Sequence, residues 1–198
     1  MSRLGPDFFQ QDSLTVARSL IGKTLVYEQG ETVLKGMIIE TEAYTEDDPA
    51  CHTYQGKRTP RTEPMFKPGG HWYLYLIYGM YHCLNMVTEA EGTGAAVLLR
   101  AVTPLSGIEK MRANRHYRNE IANGPGKLVQ AYNIPTHFNG KSSVTGPLYI
   151  DDPQTPAPTI KRTPRIGISA GQDRLWRFVT DAIPGPDNPK SAPWTAKD

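Results

Sequence analysis

Residues 71–85 read HWYLYLIYGMYHCLN, and four of the chain's ten tyrosines (Tyr73, Tyr75, Tyr78 and Tyr81) fall there beside Trp72. Aromatic and branched side chains at a rough period of two predict a strand. Gly79 interrupts it. A glycine inside a strand pattern predicts a bulge or a close approach by another molecule, either of which would turn the flanking tyrosines off the sheet. A half-buried hairpin with aromatic cross-strand pairs accounts for the same letters by packing alone. What argues for more is the company. Glu40 and Glu42 end a strand upstream, a basic Pro/Gly-rich loop follows them, and downstream an apolar run leads into Arg100.

Working outward, Lys23 to Gln29 and Thr32 to Tyr44 flank a Gly30–Glu31 turn and predict a hairpin with an unusually long second strand. Side chains alternate along a strand, so Glu40 and Glu42 are expected on one face. From Thr45 to Gly70 no period is sustained, prolines and glycines collect, and Lys57, Arg58, Arg61 and Lys67 are present, as in a long functional loop or a structureless insertion. Ala95 to Thr103 is nearly all apolar, suiting the centre of a sheet. Pro104 to Asn114 predicts a short helix running into Arg112, Arg115 and Arg118. Asn123 to Tyr132 predicts a Gly-rich turn feeding a helix at Pro125 or Gly126, with Lys127 in its first turn. Such a helix start is either a phosphate cradle or a plain cap. Pro6 to Gly22 reads as a helix with Asp12 or Ser13 as a cap. Leu148 to Asp151, Thr159 to Ser169 and Arg174 to Thr180 are short strand candidates. Residues 181–198, with four prolines, are expected to form an extended tail.

A chain of 198 residues with 38% hydrophobic content suffices for one sizeable core, and a single domain over 1–198 is expected. No signal-like segment and no run near ~20 apolar residues stands out, which predicts a cytosolic protein with no membrane association. Cys51 and Cys83 lack ligand or disulfide spacing, so no metal is expected. Charge is uneven. Residues 1–50 hold four Lys/Arg against nine Asp/Glu, whereas 51–150 hold eleven against five and all five histidines, a bias that suits a phosphate-bearing partner.

Glu40, Glu42, Tyr44, His52, Tyr75 and Arg100 make a set without a nucleophile triad, a P-loop or metal spacing. A carboxylate can serve as general base for water, tyrosine faces can sandwich a flat ring, and Arg100 can hold a carboxylate or a phosphate. Taken alone, paired glutamates at a strand end are more often a solvated edge than a catalytic pair.

Three runs, IIETEAY, MFKPGGHWYLYLIYGMYHCLN and GAAVLLRAVTPLSG, resemble in order the alkyladenine (3-methyladenine) DNA glycosylases of the mammalian type, which also occur in bacteria; the likeness is densest from about Leu34 to Leu128. The resemblance implies an α+β single domain, with a curved antiparallel sheet flanked by helices and a protruding hairpin, similar to the C-terminal domain of methionyl-tRNA formyltransferase. It implies a monomeric, cofactor-free enzyme acting on double-stranded DNA with damaged purines. A flipped purine is released by water, without strand cleavage. By position, Glu42 matches the general base and Arg100 the arginine beside water and phosphate. Tyr44 and Tyr75 match the aromatic walls, and His52 the histidine that completes them. Asn85 matches the asparagine that disfavours guanine's amine, and Tyr78 the wedge entering the base stack. Arg58, Arg61 and Lys127 are expected on the DNA backbone. The loop from Tyr44 to His52 is one residue shorter than in animal members. A non-catalytic nucleic-acid-binding module of the same fold is the alternative, and a small-molecule nucleoside hydrolase fits less well, having no need of a wedge or a basic rim.

Overall fold

The computed structural model describes residues 2–180. Its strands in chain order are β1 (Ser2–Arg3), β2 (Thr24–Gln29), β3 (Thr32–Tyr44), β4 (Trp72–Ile77), β5 (Tyr81–Val87), β6 (Ala96–Ser106), β7 (Leu148–Asp152), β8 (Ile160–Thr163) and β9 (Arg177–Thr180). All join one curved antiparallel sheet in the order β1-β7-β2-β3-β6-β5-β4. β3 is long enough to take β2 along its first half and β9 opposite Glu40–Glu42, with β8 beyond β9. Four α-helices, α1 (Pro6–Phe9), α2 (Ser13–Ser19), α3 (Ile108–Asn114) and α4 (Pro125–Tyr132), complete the α+β architecture expected from the sequence. The tail expected over 181–198 lies outside the described residues. Among the described residues no helix is long and apolar enough to cross a membrane.

The core lies on one face of the sheet, where Phe9, Val16 and Leu20 meet Leu25, Leu34, Ile38, Trp72, Leu84 and Leu99. Strict alternation then sends the intervening residues to the other face. On β4 Trp72 and Leu74 enter the core while Tyr73 and Tyr75 leave it; on β5 Leu84 and Met86 enter while Cys83 and Asn85 leave.

On β3 the alternation breaks, and the break makes the site. Leu34 and Ile38 face the core, but so does Ala43, and buried Thr41 reaches back on that side to the Ala17 carbonyl. The phase changes because the β3–β6 register passes from Ile38↔Val102 to Glu40↔Ala101 to Thr41↔Leu99, leaving Ile39 and Arg100 without partners. An extra residue on a strand swaps the faces of everything beyond it. Without that bulge Glu40 and Glu42 would share the core face with Ile38. With it they face away beside Tyr44, and Arg100 sits on the matching irregularity opposite.

Several boundaries differ from the sequence reading. Gly79 is not a bulge: Tyr78–Met80 form the turn between β4 and β5, paired up to Ile77↔Tyr81, with φ +52° at Tyr78 and +69° at Gly79. The expected helix over Pro6–Gly22 is split into α1 and α2, because the Asp12 side chain accepts from the Thr15 N–H at 3.0 Å and starts α2 afresh. Pro104 continues β6 instead of opening a helix, tolerated where the register shifts between Lys35 and Gly36. Residues 45–70 are tied down by 3₁₀ turns at Tyr54–Gly56 and Glu63–Phe66, the latter burying Met65 and Phe66. Only Ile160–Thr163 of the 159–169 candidate is strand, and the rest is a loop that enters the site.

Candidate active site

A cavity of about 510 Å³ opens on the face away from the core, lined by Tyr44, His52, Tyr75, Asn85, Leu98 and Arg100, with Tyr78 and Tyr81 of the hairpin at its margin. Its volume lies in the ~300–1,000 Å³ range of small-molecule sites. Its walls are aromatic. His52 meets the Tyr75 ring edge-on, with centroids 4.6 Å apart at 82°, and its Nδ1 lies 3.0 Å from the Tyr73 hydroxyl. The short loop after Tyr44 therefore suffices to bring His52 into the wall. Burial, aided by Arg61, lowers the His52 pKa from 6.5 to about 4, so the ring is neutral at pH 7.

Behind this wall Glu42 has no exposed surface, and it meets three donors. The Tyr44 hydroxyl donates to its Oε2 at 2.8 Å, Arg100 Nη1 donates to the same oxygen at 3.2 Å, and the Ile166 N–H donates to Oε1 at 2.8 Å. Burial raises the Tyr44 pKa far above that of an ordinary phenol, with the Glu42 charge pushing the same way, so the hydroxyl keeps its proton to donate. Arg100 also donates from Nε to Glu40 at 2.9 Å, and Arg177 Nε reaches the same Glu40 oxygen at 2.6 Å. Burial opposes the Arg100 charge, but Glu42 and Glu40 together outweigh it and hold its pKa above the usual arginine value.

Glu42, Tyr44, His52, Tyr75, Asn85 and Arg100 are thus gathered in one place. Asn85 is buried, its amide donating to the Tyr73 carbonyl at 3.1 Å. Tyr78 projects from the hairpin tip with 79% of its surface exposed. The three expected backbone contacts are placed differently. Arg61 lines the cavity with its guanidinium 5.4 Å from the Tyr75 ring centre, Arg58 forms a two-pronged ion pair with Glu63, and Lys127 pairs with Glu120.

Four participants carried no sequence signal. Arg177 holds Glu40, the Ile166 N–H holds Glu42, and a buried Arg165–Asp48 pair lies behind Tyr44. Asp48 lies in the 45–70 stretch, where no period is sustained, and the arginines lie in short strand candidates without a motif. Among the described residues no cluster of His, Cys, Asp and Glu has the grouping of a metal site. Cys51 and Cys83 are buried, unpaired thiols.

The fold thus holds an aromatic-lined cavity, backed by a buried carboxylate–guanidinium cluster and overhung by a hairpin whose Tyr78 is exposed. The family model described as Methylpurine-DNA glycosylase (MPG) matches residues 7–184, and the chain belongs to that family. A protein of Prosthecochloris aestuarii named as a 3-methyladenine DNA glycosylase is 46% identical over 96% of this chain and 97% of its own. Similarly named proteins of Methanocella arvoryzae, 47% identical over 93% of this chain and 95% of theirs, and of Clostridium perfringens, 42% identical over 89% and 94%, are also similar.

Proposed function

We propose that this protein is a DNA repair glycosylase that takes a damaged purine out of duplex DNA and releases it by hydrolysis, with Glu42 as general base. The observation that carries the reading is the set of donors on Glu42. A carboxylate has about four acceptor positions. Tyr44 and Arg100 occupy two on Oε2 and Ile166 one on Oε1, leaving one on Oε1 for a water proton. Glu42 lies one layer behind the cavity surface, so water reaches it past Tyr44, Arg100 and Ile166, which all line the cavity. The water oxygen then bonds to the sugar C1′ as the C1′–N bond breaks, the water proton passes to Glu42, and the base leaves with the bonding electrons. Arg100 stands beside the charge that this transfer rearranges.

The walls suit an alkylated purine. Such a base can carry positive charge, and the faces of Tyr44 and Tyr75 attract a cationic ring by stacking and cation–π interaction more than a neutral one. His52, neutral at pH 7, adds no opposing charge. Extrusion costs a few kcal/mol and least for a damaged or mispaired base, which selects before the pocket does. Tyr78 fills the gap left in the stack, as inserted side chains do in the minor groove. No lysine lines the cavity among the described residues, which supports water over an amine nucleophile and a product strand left uncut.

The test is a set of duplexes of one sequence, each with a single modified purine, treated with the parent, Glu42→Gln and Glu40→Gln. The parent should leave abasic sites in uncut strands. Glu42→Gln should bind DNA as before and lose ~10²- to 10⁴-fold in excision rate, the usual contribution of a general base. Glu40→Gln should lose far less. Equal losses would take the base role from Glu42, and a parent that binds these duplexes without releasing any base would be a non-catalytic nucleic-acid-binding module.

A further inference from the structure

The geometry points to Arg165, with Asp48, as a positioning residue that fixes both Glu42 and the Tyr44 wall without itself touching the cavity. The inference rests on the reading of Glu42 and Tyr44 given above and adds the element that aligns them.

Arg165 has a fully buried side chain on the layer behind Tyr44. Its guanidinium carbon lies 4.7 Å from the centre of the Tyr44 ring. Nη1 donates to the Ala43 carbonyl at 3.0 Å, gripping the backbone between Glu42 and Tyr44, and the Ala43 N–H is taken by the Trp176 carbonyl at 2.9 Å. Both Nη1 and Nη2 bind Asp48, whose side chain is also fully buried. The residue after Arg165 supplies the N–H bond to Glu42 Oε1. Three separate pieces of chain therefore meet on one ion pair: the end of β3 with Glu42 and Tyr44, the loop running from Asp48 to His52, and the loop from Arg165 onward.

Two details argue that the fit is specific. A Cβ on Gly171, at φ +63°, would come within 2.9 Å of Asp48 Oδ1 and 3.0 Å of Arg165 Nη2, so only glycine leaves room for the pair. Arg165 Nη2 also donates to the Gly171 carbonyl at 3.3 Å, so the guanidinium is held on the backbone at Ala43 and Gly171 as well as by Asp48. The plane of the guanidinium is set by Tyr44, Ala43 and Asp48 at once. Lysine, a point charge with no planar fork, cannot satisfy all three.

Two variants test this: Arg165→Lys, and Arg165→Met combined with Asp48→Leu. The second removes both charges at similar volume, a change that buried ion pairs generally tolerate in stability. The direct readout is amide hydrogen exchange at Ile166, compared with core amides such as Val97 and Leu99. We expect Ile166 to lose at least about tenfold in protection in both variants while the core amides hold, the loss of a hydrogen bond of ~1.4 kcal/mol. Single-turnover excision at saturating enzyme should fall by a similar factor or more, with duplex affinity unchanged. Full protection of Ile166 in a folded variant would overturn the inference. So would a uniform loss over all amides in both, which would make the pair a fold element and nothing more. Should the parent release no base, the proposed reaction fails while the Ile166 amide still decides the clamp.

Discussion

Replacing Tyr78 by alanine separates a wedge from a core aromatic. A fully buried aromatic costs ~3–5 kcal/mol when truncated to alanine. Tyr78 is 79% exposed, so about one fifth of that applies, roughly 0.6–1 kcal/mol. Its φ of +52° is equally awkward for tyrosine and for alanine, so the turn adds no difference between them. At ~2–4 °C per kcal/mol for a chain of this length, Tm should fall by about 1–4 °C in a thermal melt. The loss belongs in extrusion. In single-turnover assays, excision from a fully paired duplex should slow more than excision of the same lesion opposite a mismatch, where unstacking is already cheaper. A Tm lowered by about 10 °C or more would place Tyr78 in the fold. Equal slowing on both substrates would remove its part in extrusion.

Binding to duplex DNA should weaken steeply with salt, with log affinity falling by about 0.9 per phosphate neutralised for each unit of log salt. Arg58→Ala and Lys127→Ala should each reduce that slope by about one, their ion pairs with Glu63 and Glu120 exchanging for phosphates; a flat slope in the parent, measured by titration at ~50–200 mM salt, would sink the duplex reading. His52 yields a pH prediction of definite sign. Its folded pKa of about 4 lies below the ordinary 6.5, so its contribution to stability is whole above 6.5 and is lost as pH falls toward 4. Tm should therefore drop between pH 7 and pH 5 by more in the parent than in His52→Asn, and parallel drops would show that His52 does not titrate in the wall.

Much of the candidate site's lining was legible because its residues sit in runs with a strand period. Tyr73, Tyr75 and Asn85 face the cavity because alternation along β4 and β5 puts Trp72, Leu74, Leu84 and Met86 in the core. Arg58 and Lys127 show the limit of the same reading. Their charge was evident in the letters, but the carboxylates that now hold them, five and seven residues away, depend on how the loops close.

Glu40 and Glu42 mark the boundary most clearly. Alternation by itself puts the two on one face, but it puts Ile38 there with them, and no local preference says where the strand slips. Only pairing with β6, where Ile39 and Arg100 are left over, turns both carboxylates away from the core. The donors that then meet Glu42 come from Arg100, 58 residues away, and Ile166, 124 residues away. Local pattern specifies which side chains lie up and which lie down within a strand. Register between distant strands decides which of those faces becomes the core and which becomes the site, since it is settled by the joint burial of segments that have no contact until the chain has folded.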